Sequence, residues 1–151
     1  MTRINCIPPK ELHDRHLVAE YHELPRVFHL VKNAAAKNKV PKYYEDKFPK
    51  YTFGEGHVKF FYSKLRYLAE RHIELIAEMI NRKMRPQYEN FNSIILGLPK
   101  TWYGQWEPSK RDLKLNRAHL AERMKDLKTK KRKVITPYNE HELPEDFNGK
   151  E

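Results

Sequence analysis

The chain has 151 residues, 39% of them apolar and 33% charged, and thirty Lys and Arg against twenty Asp and Glu leave a net charge of +10. That is one domain's worth of sequence with one modest core, and the charge makes a polyanion the first partner to weigh. Uncharged stretches such as 91–99 are too short to span a bilayer, no secretory signal opens the chain, and the lone Cys6 excludes an internal disulfide framework and a cysteine-based zinc cluster. These readings together predict a cytoplasmic protein away from membranes.

The period of the apolar residues predicts helices throughout. From Glu11 onward, Leu17, Tyr21, Leu24, Phe28 and Val31 lie on one face of an amphipathic helix, led in by Pro8-Pro9. Pro25 falls inside this pattern and is expected to kink the helix or free a carbonyl near Tyr21. A second helix is expected from His57 to about Met84, with Phe61, Leu65, Leu68, His72, Leu75, Ile76 and Met79 inward. A third runs from Ser109 to about Lys128, with Leu113, Leu120, Met124 and Leu127 inward and Ser109/Asp112 as a capping box with the shorter acid. The segments 37–53 and 87–108 read as long loops rich in aromatics and proline. The expected fold is therefore all-α: a compact single domain of three main helices joined by long loops over residues 1–128, with a basic then acidic tail at 129–151.

The charge is uneven. Residues 100–133 carry twelve Lys/Arg against four Asp/Glu, whereas 134–151 carry one against five. The run Lys128–Lys133 fits phosphate contact or a solubilising tail. The aromatics beside basic residues, Trp102 and Tyr103 after Lys100 and the Tyr43/Tyr44/Tyr51 group, fit base stacking or lids on the core equally well.

On the first helix, with Leu17 set at zero, Arg15, His22, Arg26 and His29 fall between about 120° and 180°, opposite the apolar stripe. Glu23 falls at about 240°, on the side of His16. The plain reading is a solvated face with a Glu23–Arg26 pair. The histidines do not make a metal motif, and Cys6 reads as a small buried hydrophobe. A small residue follows Met1, so the mature chain is expected to begin at Thr2. Its α-amine has an ordinary pKa of about 8, and beside guanidinium groups it would fall further, giving a nucleophile at neutral pH.

The stretches Thr2-Arg3-Ile4-Asn5, Glu11-Leu12, His16-Leu17, Ala19-Glu20-Tyr21 and Glu23-Leu24-Pro25-Arg26-Val27-Phe28 resemble the phage endonuclease V type of pyrimidine-dimer DNA glycosylase. So do GEGHVKFFY at 54–62, Lys64-Leu65 and Ile73-Glu74-Leu75-Ile76-Ala77-Glu78, and more loosely Arg117 to Arg123. The resemblance implies an all-α repair enzyme without metal or other cofactor. It would act as a monomer on double-stranded DNA containing ultraviolet photoproducts or abasic sites, in a cellular or host cytoplasm. The family attacks the sugar C1′ of the 5′ pyrimidine of a cyclobutane dimer with an N-terminal Thr amine, then cleaves the strand 3′ by β-elimination. This carry-over makes Thr2 and Glu23 catalytic. It makes Arg3, Arg15, His22, Arg26, Arg117, His119 and Arg123 contacts to DNA phosphates.

The chain departs from the family pattern at three of these. Glutamine is expected where Arg15 stands, and arginine where His22 and His119 stand, while Arg123 matches a family lysine. Histidine in place of arginine predicts a weaker phosphate grip at pH 7 and activity rising towards pH 6. The aromatic-rich end of the phage enzyme has no match after Thr129. That leaves open an abasic-site lyase with another lesion preference, and beside it a non-catalytic basic helical module or a metal-dependent nuclease.

Overall fold

The structure, a computed structural model, describes residues 3–88 and 90–133, with side chains as far as 126. Five helices follow in order: α1 (Asp14–Ala36), α2 (Pro41–Lys47), α3 (Leu65–Asn81), α4 (Asn92–Leu96) and α5 (Lys110–Lys133). No strand forms among the described residues, so the fold is all-α as expected. None of the described helices is long and apolar enough to cross a membrane.

α1 and α3 pack against each other and form the centre of the core. The stripe of α1 is buried at Leu17, Leu24, Phe28 and Val31, and that of α3 at Leu65, Leu68, His72, Leu75, Ile76 and Met79. Pro25 does not break α1, which runs unbroken across it. Proline has no N–H to offer the carbonyl of Tyr21, and the ring Nε2 of His72 takes that place from α3 at 3.3 Å. The imidazole also stacks on the Tyr21 ring with centroids 5.3 Å apart.

Three expectations are corrected. The second helix begins at Leu65, not His57, because 53–58 is spent on turns, followed by a short 3-10 turn at Lys59–Phe61. Gly56 has φ +87°, and an added Cβ would come within 2.6 Å of the Phe48 ring, so only glycine serves there. The two expected loops contain α2 and α4, helices too short for the apolar period to reveal. The backbone of α5 continues to Lys133, beyond the expected end at Lys128. On α5, Leu113 and Leu120 pack only at the edge of the core, while Asn116 is fully buried; Leu127 lies outside the described side chains. The predicted cap is present: Ser109 Oγ accepts from Asp112 N at 3.1 Å and Asp112 Oδ2 from Ser109 N at 3.0 Å.

The aromatics divide by burial. Tyr44, Tyr51 and Trp102 are core residues, whereas Tyr43 and Tyr103 are exposed. Tyr103 forms an isolated antiparallel bridge with Lys64. Its neighbour Gly104 approaches so closely that a Cβ would stand 2.5 Å from Ser63 O. The Lys128–Lys133 side chains and the acidic tail at 134–151 lie outside what is described.

Candidate active site

The N-terminal segment 3–7 has neither helix nor sheet partner, so side chains must satisfy its backbone groups. They come from every part of the chain. Glu23 Oε1 on α1 accepts from Arg3 N at 3.0 Å. His57 Nε2 accepts from Ile4 N at 2.8 Å, and the Tyr51 hydroxyl donates to Ile4 O at 2.9 Å. Asn116 Oδ1 on α5 accepts from both Cys6 N and Ile7 N at 2.7 and 3.1 Å, and Arg71 Nη1 on α3 donates to Ile7 O at 2.6 Å.

A second tier holds these partners. Arg71 makes a two-pronged pair with Glu20 at 2.8 and 3.1 Å, both side chains fully buried. Glu20 also accepts from Asn5 Nδ2 at 2.9 Å, and Asn5 Oδ1 accepts from Asn116 Nδ2 at 2.8 Å. Each buried polar group named here has a partner of opposite role, the condition under which such a network gives one fixed geometry. His57 is neutral by the same logic. Its Nδ1 must donate to the Thr52 carbonyl at 2.7 Å, which leaves Nε2 to accept. Burial holds its pKa down at about 4, against the raising effect of the Thr52 hydrogen bond.

At Arg3 opens a cleft of about 130 Å³, lined among others by Arg3, Arg15, His16, Glu23, His119 and Arg123. Its field is positive. Arg3 lies below the ordinary arginine value, through burial first and the Arg123 charge second, with Glu23 opposing. His16 is pushed down to about 4 by burial and then by His13, Arg123, Arg15 and His119. His119 is lowered by burial, Arg3 and Arg123. Its ring stacks on Phe53 at 3.8 Å between centroids, and its buried Nε2 finds no hydrogen-bond partner among the described residues. Such a cleft suits a phosphodiester, and two carboxylates belong to its lining, Glu20 held by Arg71 and Glu23 by the Arg3 amide.

Four of the residues singled out from the sequence therefore line one cleft with Glu23: Arg3, Arg15, His119 and Arg123. Thr2 lies outside the described residues, adjoining the fixed Arg3 amide. Arg26 is exposed and, like His22, does not line the cleft. Arg117 is on another face, in a two-pronged pair with Glu11 at 2.9 Å for each bond. The solvated reading of Glu23 is corrected: the carboxylate is buried. Burial, Arg3 and Arg123 hold His119 below the ordinary histidine value, which works against a gain of charge towards pH 6. Cys6 is buried as expected, and burial raises its thiol to about 11, away from nucleophilic use.

Asn5, Glu20, Arg71, His57, Tyr51 and Asn116 were not marked by the sequence as belonging to the site. For Glu20 a signal existed, since it shares the helical side of Glu23 and His16 at about 300° on the same wheel. The others join across long sequence separations that no local pattern encodes.

A buried carboxylate set against the Arg3 backbone, beside a cleft rich in cations, is an arrangement that can hold an anionic polymer. The family model described as pyrimidine dimer DNA glycosylase matches residues 1–91, and the chain belongs to that family. Family membership makes it a DNA-repair glycosylase acting on ultraviolet-damaged DNA.

Proposed function

We propose that the chain removes pyrimidine dimers through an imine on the Thr2 α-amine and then cuts the strand as an abasic-site lyase. The observation that carries this reading is the Glu23 carboxylate, buried and hydrogen-bonded at 3.0 Å to Arg3 N, one residue from the nucleophile.

With Met1 removed, the amine lone pair attacks C1′ of the 5′ nucleotide and the C1′–N glycosidic bond breaks, its electrons leaving with the base. Glu23, as a carboxylate, stabilises positive charge developing at C1′. Loss of an amine proton and protonation of the ring oxygen open the sugar to the imine, with Glu23 as the group that relays these protons. Removal of a C2′ proton then expels the 3′ phosphate. Arg3 and Arg123 hold phosphate oxygens and, by their charge, keep the neighbouring amine unprotonated at neutral pH. Arg15 and the His119 edge complete the rim, while Arg26, His22 and Arg117 contact the duplex outside the cleft. The catalytic domain is residues 1–128, with 129–151 as its tail.

The test is Glu23→Gln, which keeps the shape and an acceptor for Arg3 N but removes the charge. Strand cleavage of dimer-containing duplex falls by about 10²–10⁴ with binding retained. Wild-type activity is unaffected by EDTA. Unchanged cleavage in the variant would remove Glu23 from this role, and inhibition by EDTA would favour a metal-dependent nuclease.

A further inference from the structure

A second basic surface lies away from the cleft lining, on the exposed side of α2. Lys39 Nζ stands 4.8 Å from the centre of the Tyr43 ring, and Lys47 Nζ 5.5 Å from the same ring and 5.9 Å from Phe48. Lys59 Nζ stands 5.7 Å from Phe48 on the neighbouring 3-10 turn. Three ammonium groups are thus gathered on two adjoining rings, and Lys47 also donates to the Tyr43 hydroxyl at 3.3 Å. All three lysines are exposed, and none of them takes part in an ion pair among the described residues. Lys42 on the same helix differs, being paired with Asp46 at 3.3 Å.

The patch is rigidly mounted. Tyr44 anchors α2 in the core against Tyr62 and Trp102, and the Phe48 ring is pressed on Gly56. Like charges held together on an exposed face repel each other, and here, among the described residues, only aromatic rings and one hydroxyl, not a carboxylate, stand against them; a polyanion would neutralise them. The lowered Tyr43 phenol, whose first cause is the Lys47 hydrogen bond and which also feels Lys39 and Lys59, records the same concentrated field.

The patch is also placed along a route from the cleft. Phe53, stacked on the cleft residue His119, is six residues from Lys59, and even a fully extended chain of that length spans only about 20 Å. That is less than one turn of duplex, about 34 Å.

We propose that Lys39, Lys47 and Lys59 form a second phosphate-binding surface that grips undamaged duplex flanking the lesion. The proposal rests on the family's DNA substrate but not on the imine chemistry, so it is tested with undamaged duplex and no cleavage. In the full chain, Lys39→Gln/Lys47→Gln/Lys59→Gln weakens binding at low salt and flattens the plot of log K against log salt by about 2 to 3, near 0.9 for each lost contact. The single-turnover rate on dimer-containing duplex at saturating enzyme stays at the wild-type value. An unchanged salt slope and affinity would overturn the proposal. So would a slower single-turnover rate, which would place the lysines in the cleft's own machinery. Lys42→Gln is the control on the same helix, and a change from it as large as the triple variant's share per lysine would assign the effect to net charge alone.

Discussion

The cleft beside Arg3 and the lysine patch on α2 carry the same sign of charge but are built in opposite ways. In the cleft a few cations are drawn into partial burial, and the backbone they stand on is hydrogen-bonded to side chains from α1, α3, α5 and the 51–57 turn. Around α2 the charges of Lys39, Lys47 and Lys59 are exposed and touch only aromatic rings and one hydroxyl. Burial in a positive field changes what a neighbouring group is, lowering an amine or an imidazole, whereas exposed charge changes only how tightly a polyanion is held. The first arrangement suits chemistry at one atom, and the second suits grip along a duplex.

That contrast can be broken most severely through the buried pair. Arg71→Met leaves Glu20 charged, buried and without its guanidinium partner, and costs about 3–5 kcal/mol of stability. Urea unfolding measures it, and a loss below about 1 kcal/mol would show that Glu20 has relaxed to solvent or taken up a proton. An effect of similar size is expected at Asn116. Asn116→Leu strips the acceptor from Cys6 N and Ile7 N, at about 1–3 kcal/mol for each buried donor left unmet. If segment 3–7 exists to place the N-terminus, this variant slows single-turnover cleavage well beyond its effect on binding to undamaged duplex. Equal losses in both would reduce Asn116 to a purely structural role.

The pH response sharpens the same comparison. His57 and His16 are held at about 4 in the folded chain, below the value of about 6.5 expected when unfolded. The unfolded chain therefore binds more protons in this window. The stability that depends on neutral imidazoles is complete above pH 6.5 and is lost progressively as pH falls towards 4. Thermal unfolding between pH 7.5 and 4.5 should show a falling midpoint, and a flat profile would contradict the buried, neutral assignment. The smallest expected effect is Arg123→Gln. It removes about one phosphate contact and lowers the salt slope by about 0.9, but unlike the α2 lysines it also slows cleavage at saturating enzyme.

Much of this architecture was legible from residue spacing. The buried stripes of α1 and α3, the cap at Ser109 and the carbonyl released at Tyr21 all follow from local rules of period and hydrogen bonding. α2 and α4 were not, since helices of five to seven residues carry too few turns for a period. The helical wheel, being local, put Glu23 on the side of His16, but it grouped Arg15 with His22 and Arg26, which do not line the cleft. It could not show that Asn116 reaches a backbone 110 residues away, or that Glu23 is buried rather than solvated. His119 was legible as a position but not as a chemical state, because its stack on Phe53 and its closeness to Arg3 exist only in the folded chain.

The central claim is that the chain's own N-terminus is the nucleophile. It is tested most directly by borohydride reduction of the protein with dimer-containing duplex in EDTA, followed by peptide mapping of the adduct. The account predicts a covalent protein–DNA product linked through the α-amine of Thr2, with Met1 absent. No adduct, or one carried by a lysine side chain, would contradict it.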